Sequence, residues 1–139
     1  MRFWDSSAIA SLLLQEKESA QRLNELEQDP VLVVWWGTAV ELESVLTRRR
    51  YEGTLDEVNE AKARKKLAML ADTWIEVEPT DSVREMAKRL IRVHRLRSAD
   101  SLQLAAALVA CGNVPPSHIF LSGDQALKVA AGKEGFVCR

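Results

Sequence analysis

Histidine, cysteine and tyrosine are almost missing from this chain: of 139 residues, two are His, two are Cys and one is Tyr. Cys111 and Cys138 are too few for a disulfide scaffold and lack metal-type spacing. A reducing cytoplasm suits them, as small core or surface thiols. No apolar run reaches the ~18–20 residues of a membrane span, and Met1-Arg2-Phe3-Trp4 lacks a signal-peptide pattern, so no membrane role is expected. An excess of one charge is missing too: 19 Lys and Arg meet 20 Asp and Glu, a net charge of −1. No global basic field draws in nucleic acid, and a polyanion partner has to meet a local patch. No Gly-rich phosphate loop or GxGxxG occurs, which removes the nucleotide-binding classes that depend on one.

Hydrophobic residues make up 47% and charged residues 28%, a globular balance that excludes disorder. The length suits one domain over residues 1–139, with no repeat, low-complexity tract or linker. Arg2-Phe3-Trp4 reads as a short strand ending at Asp5-Ser6-Ser7. Helices are expected from Ala8 to about Leu14 and from Glu18 to Glu27, where Pro30 stops the second. The β-branched run Val31-Leu32-Val33-Val34-Trp35 reads as a buried strand. Thr38-Ala39-Val40-Glu41 and Thr54-Leu55-Asp56-Glu57 match capping boxes for helices reaching about Arg49 and Asp72. Trp74-Ile75-Glu76-Val77 alternates as a strand. From Asp81, apolar Val83, Met86, Ala87, Leu90 and Ile91 mark an amphipathic helix. Ser98 reads as the N-cap of an almost wholly apolar helix through Leu104 to Ala107, broken only by Ser101 and Gln103. Ile119-Phe120-Leu121 is a strand, Gln125 to about Gly132 a helix, and Phe136-Val137-Cys138 an edge strand. Strands alternating with helices predict an α/β domain with a central, mostly parallel sheet flanked by α-helices.

In such sheets ligands bind beyond the carboxyl ends of the strands. Asp5 ends the first strand, Glu41 and Asp100 lie in first helical turns, and Asp124 follows the Ile119 strand. Each acid alone has a structural reading, as a cap or a complement to a helix dipole. Together they form a set. Carboxylates gathered in one cleft repel one another and raise their pKa values unless a cation intervenes. Hard divalent ions take oxygen ligands and bridge carboxylates to phosphates, and the chemistry they support is phosphodiester hydrolysis.

At this point the chain resembles the PIN-domain family, in particular the VapC-type toxin ribonucleases of toxin–antitoxin pairs. The likeness rests on an ordered set of segments: Phe3-Trp4-Asp5-Ser6-Ser7-Ala8, Thr38-Ala39-Val40-Glu41-Leu42, Leu96 to Ala105 around Asp100, and Leu121-Ser122-Gly123-Asp124-Gln125-Ala126-Leu127 with Gly135-Phe136. The resemblance implies a single PIN-like nuclease domain with metal ligation at Asp5, Glu41, Asp100 and Asp124. It also implies Mg²⁺- or Mn²⁺-dependent RNA cleavage, a homodimer, and inhibition by a cognate antitoxin that covers the site. Ser122 stands where Thr is common, and the hydroxyl is retained.

Other residues carry two readings each. Ser6 either orients a ligand or caps the first helix, and Glu43 is a candidate auxiliary ligand. Arg48-Arg49-Arg50, Arg64-Lys65-Lys66 and the basic residues from Arg89 to Arg97 are solvated cations or RNA-backbone contacts. Arg97, just before Asp100, is a candidate auxiliary residue within reach of a phosphate near the metal, and His94 as general base is unnecessary where a metal ion activates water. One of Trp35 and Trp36 packs inward while the other is open to stack a base; Trp4 and Trp74 belong to the core. Leu12-Leu13-Leu14 exceed one helix face and suit a partner groove, a dimer seam or core packing. The alternative to catalysis is a PIN-fold module that binds RNA or protein without turnover. A phosphoacceptor receiver domain wants paired acids after its first strand, but Asp5 is followed by two serines. Asp-x-Asp phosphatases fail the same way at Ser7.

Overall fold

The computed structural model describes residues 1–139. Strand β1 (Arg2–Trp4) leads into helices α1 (Ser6–Leu13) and α2 (Ser19–Gln28), strand β2 (Val33–Trp35), and helices α3 (Thr38–Tyr51) and α4 (Glu57–Ala71). Strand β3 (Ile75–Val77), helices α5 (Asp81–His94) and α6 (Ser98–Ala110), strand β4 (Ile119–Leu121), helix α7 (Gln125–Glu134) and strand β5 (Val137–Cys138) complete the chain. The expected elements are all present, with different ends. The second strand begins at Val33, where pairing with Phe3 starts, and leaves Val31 exposed.

Helix starts depart from the sequence reading for one reason: a side chain caps only from a residue with extended backbone. Asp5 holds that conformation and accepts the Ser7 N–H at 3.3 Å, so α1 begins at Ser6 rather than Ala8, and Ser6 does not cap it. The residue before α3 is Gly37 in the α region, with no capping bond, so Thr38 and Glu41 form no capping box. Gly37 itself is required by close approach, since a Cβ there would stand 2.5 Å from Trp35 Nε1. Asp56, not Thr54, caps α4 by accepting the Asn59 N–H at 2.8 Å. Arg97 occupies the extended position before α6, which places Ser98 inside the helix, where it does not cap.

The five strands form an entirely parallel sheet in the order β3-β2-β1-β4-β5. Alternation along each strand sends successive side chains to opposite faces. Phe3, Val33 and Phe120 face one core with Leu90 of α5, Leu104 and Leu108 of α6 and Leu127 of α7. Trp4, Val34 and Leu121 face the other, with Ile9 and Leu12 of α1 and Leu42 of α3. The Phe3 and Phe120 rings stack with centroids 5.6 Å apart. Each such buried side chain contributes about 1.5–3 kcal/mol. Trp4 is fully buried as expected, whereas Trp74 is half-buried, its Nε1 donating to Glu76 at 2.9 Å. Leu13 and Leu14 are half-buried and line a cavity of about 370 Å³ with Leu55 and Arg49.

From β1 the chain builds outward through β2 to β3, then α5 and α6 carry it to β4 on the other side of β1. The strand order therefore reverses between β1 and β4, the place where such sheets bind ligands.

Candidate active site

Asp5 leaves the carboxyl end of β1 almost fully buried, its N–H donating to the Leu121 carbonyl at 3.0 Å. Its Oδ2 accepts from the Ser7 N–H, the Ser7 hydroxyl and the Ser122 hydroxyl, the last at 2.9 Å. Ser7 Oγ also accepts the Gly123 N–H at 2.7 Å, and Ser122 Oγ accepts the Asp124 N–H at 3.0 Å. These two hydroxyls join the loop after β1 to the loop after β4. Asp124 caps α7, its Oδ1 accepting the Leu127 N–H at 2.8 Å. From beneath, the buried Arg22 of α2 donates Nη2 to the Ser122 carbonyl at 2.7 Å.

Glu41 approaches these residues from the first turn of α3, through Ser6. Its Oε2 accepts the Ser6 hydroxyl at 2.6 Å and its Oε1 accepts Gln103 Nε2 of α6 at 3.2 Å. Gln103 is buried, and the same nitrogen donates to Thr38 Oγ1 at 3.2 Å. Asp100 opens α6, one turn before Gln103, and no hydrogen bond restrains its carboxylate.

Electrostatics tie the acids together. Burial pushes the Asp5 carboxyl above its ordinary range, against the pull of its Ser7 and Ser122 hydrogen bonds. Glu41 is raised chiefly by burial; bonds from Ser6 and Gln103 oppose this, and the charges of Asp5 and Asp100 add to it. Asp100 is raised by burial and then by Asp124 and Asp5, while Arg97 beside it lowers it. The structure thus places Asp100 within electrostatic reach of Asp5 and Asp124, and Glu41 within reach of Asp5 and Asp100, and none of the four makes a salt bridge.

Glu43 lies elsewhere. It is exposed on the outer side of α3, where Arg64 of α4 pairs with it and holds its carboxyl below the usual range. Arg49 and Arg50 are engaged by Glu16 and Glu60 at 2.7 and 2.6 Å. His94 is bound to Glu134 at 2.6 Å, joining α5 to α7. Arg97 is exposed at the mouth of α6, and Trp36, half exposed, meets the buried Trp35 edge to face.

Ser7, Thr38, Gln103 and Arg22 carry no site role in the sequence reading. Gln103 had a signal: in a helix of Leu and Ala it stands three residues after Asp100, on the same face. Ser7 had a weaker one, two residues after Asp5, where a helix cap finds its partner N–H. Arg22 had none, because α2 is polar on most sides.

A divalent cation fits these residues in chemistry. Every donor is oxygen, and three carboxyls are raised with no ion pair to neutralise them. No three His, Cys, Asp or Glu side chains form a direct ligand cluster. Mg²⁺ keeps several waters and needs only one or two carboxylates.

The architecture and the sequence have relatives. PAE2754 from Pyrobaculum aerophilum has a crystal structure similar to this chain, with a TM-score of 0.70 and 18% identity over 99% of this chain and 89% of that one. FitAcB from Neisseria gonorrhoeae is similar with a TM-score of 0.66 and 15% identity over 99% and 96%. At these identities the likeness concerns the fold. Comparison with curated proteins finds no match. The PIN domain family matches residues 2–133, and with that match over nearly the whole length, on a parallel sheet whose switch point carries the acids, the chain belongs to the PIN domain family.

Proposed function

We propose that this protein is a divalent-metal-dependent endoribonuclease, the toxin of a type II toxin–antitoxin pair. PIN domains are typically nucleases. What supports the reading is a chain of unneutralised acids beside the β1–β4 switch point: Asp100 is within electrostatic reach of Asp5 and Asp124, and Glu41 of Asp5 and Asp100, with no salt bridge to any of them. These four side chains would hold Mg²⁺ or Mn²⁺, and such an ion supplies the positive charge that acidifies water and offsets charge building on a phosphate.

The chain's own groups do the rest. Ser7 and Ser122 fix the Asp5 carboxylate, and Ser6 fixes that of Glu41. Arg97, exposed at the rim, offers a guanidinium to the phosphates flanking the scissile bond. The raised carboxyls mean that a cation or an incoming phosphate, rather than the protein alone, determines how much charge the cleft carries. The antitoxin and the homodimer rest on the sequence resemblance, with an antitoxin covering the cleft. A cytoplasmic site suits the two free thiols. No helix is long and apolar enough to cross a membrane.

The test is cleavage of structured RNAs by the purified protein with Mg²⁺ or Mn²⁺, with EDTA, and with Asp5→Asn in parallel. Cleavage that needs the ion and is lost in the variant supports the reading. The lack of a direct three-ligand cluster favours a second reading, a PIN fold that binds RNA or protein without turnover. RNA binding without cleavage, unaffected by Mn²⁺ and by Asp5→Asn, would establish that alternative.

A further inference from the structure

We infer that Gln103 is a positioning residue of this site, holding the Glu41 carboxylate in its cation-binding orientation from within the core. The inference rests on the nuclease reading and assigns a role inside it. Gln103 is 1% exposed and sits among Leu104, Ala105 and Ala106, where an apolar side chain is the ordinary occupant. Its amide nitrogen donates both protons across the interface between α6 and α3, to Glu41 Oε1 and Thr38 Oγ1, each at 3.2 Å. A carboxylate accepts only, so the nitrogen end of the amide must face Glu41. The carbonyl Oε1 is thereby left buried with no partner. An unsatisfied buried carbonyl destabilises the fold, and leucine would fill a similar volume without that cost. Core packing therefore does not account for this side chain, and the bond to Glu41 does.

Ser6 grips the other carboxylate oxygen at 2.6 Å. The two bonds hold Glu41 from opposite oxygens, so removing either lets the carboxylate rotate about its terminal torsion. Partners of this kind, which orient a ligand without touching the ion, change metal affinity or activity by about 10–100-fold when removed.

The test compares the parent protein with Gln103→Leu, measuring Mn²⁺ binding by calorimetry on protein without RNA, the melting temperature without metal, and kcat and KM for RNA. The expected result is Mn²⁺ binding weakened about tenfold, kcat lowered with KM for RNA little changed, and a metal-free melting temperature close to the parent's, because relief of the unpaired carbonyl and loss of the bonds to Glu41 and Thr38 oppose each other. In a Glu41→Gln background the same substitution should leave the residual Mn²⁺ affinity unchanged, because the group it positions is gone. That comparison serves also if Gln103→Leu is poorly folded on its own, as does Gln103→His, which retains an N–H donor and should recover part of the binding. Unchanged Mn²⁺ affinity in Gln103→Leu, or an equal loss in the Glu41→Gln background, overturns the inference and leaves the nuclease reading standing. A parent protein that neither binds Mn²⁺ nor cleaves RNA overturns both.

Discussion

Asp100 lies in the first turn of α6 without capping it, since no backbone N–H of that turn is bonded to its carboxylate. Its charge is opposed by Asp124 and Asp5 and relieved only by Arg97. Asp100→Asn should therefore lower RNA cleavage at least about 100-fold, the worth of ~3 kcal/mol of lost charge stabilisation. The same variant should leave the metal-free melting temperature unchanged or higher. A fall of several degrees would assign Asp100 to the stability of the helix instead. The pH dependence has a definite sign. Asp5, Glu41 and Asp100 are all held above their ordinary values of 3.8, 4.5 and 3.8, so the folded protein keeps protons that the unfolded chain has released. Their contribution to stability is complete below about pH 4 and declines as pH rises through the raised folded values. Melting scans without metal should accordingly show the advantage of Asp100→Asn over the parent growing from pH 4 to pH 7. A difference that shrinks over that range would contradict the repulsion.

At the scale of elements, α2 supports the loop after β4 through one side chain. Arg22 is 1% exposed, bonded to the Ser122 carbonyl and to Glu18, while its Nε and Nη1 have no partner. Arg22→Met keeps the stem's volume, loses the bond to the loop and removes two desolvated donors. Stability should change by no more than about 1 kcal/mol, because the lost bonds and the relieved desolvation oppose each other. Cleavage should fall about tenfold as Ser122 loosens from Asp5, measured as kcat beside the melting temperature. Helix caps behave more simply. Thr80 accepts the Val83 N–H at the start of α5, and Thr80→Ala should cost about 1 kcal/mol, read in a denaturant titration. The helices were legible as periodic segments, and α5 with Val83, Ala87 and Leu90 buried is the plainest case. Their starts were less so. Thr38 and Ser98 carry capping side chains, but the backbone turns into the helix one residue earlier, so both lie inside it.

For the whole molecule, the site and the core share α6. Its Leu104 is fully buried in the core that α6 shares with β2, β3 and α5, so Leu104→Ala should cost about 2–5 kcal/mol by the loss of transfer energy and the cavity left behind, visible in urea unfolding. In the other direction, a ligand that binds only the folded state stabilises it by mass action. Mn²⁺ at 100 times its dissociation constant should add about 2.7 kcal/mol, seen as a rise of several degrees in melting temperature that Asp5→Asn abolishes.

Local chemistry determined the alternating strands and helices, the apolar character of α6, and the placing of Asp5, Glu41, Asp100 and Asp124 at strand ends or first helical turns. Each of those features depends on residues within a few positions of one another, which periodicity records. The tertiary structure alone decided that the chain crosses over after β3 to put β4 beside β1, and with it which distant groups meet. Ser122 touches Asp5 across 117 positions, Arg22 supports Ser122 across 100, and Gln103 holds Glu41 across 62. Helix rotation of about 200° over two positions already separates Glu43 from Glu41, and the packing of α4 on α3 decided that Glu43 is the one that meets Arg64. Strand order and helix facing set these contacts, and no pattern confined to neighbouring residues encodes either.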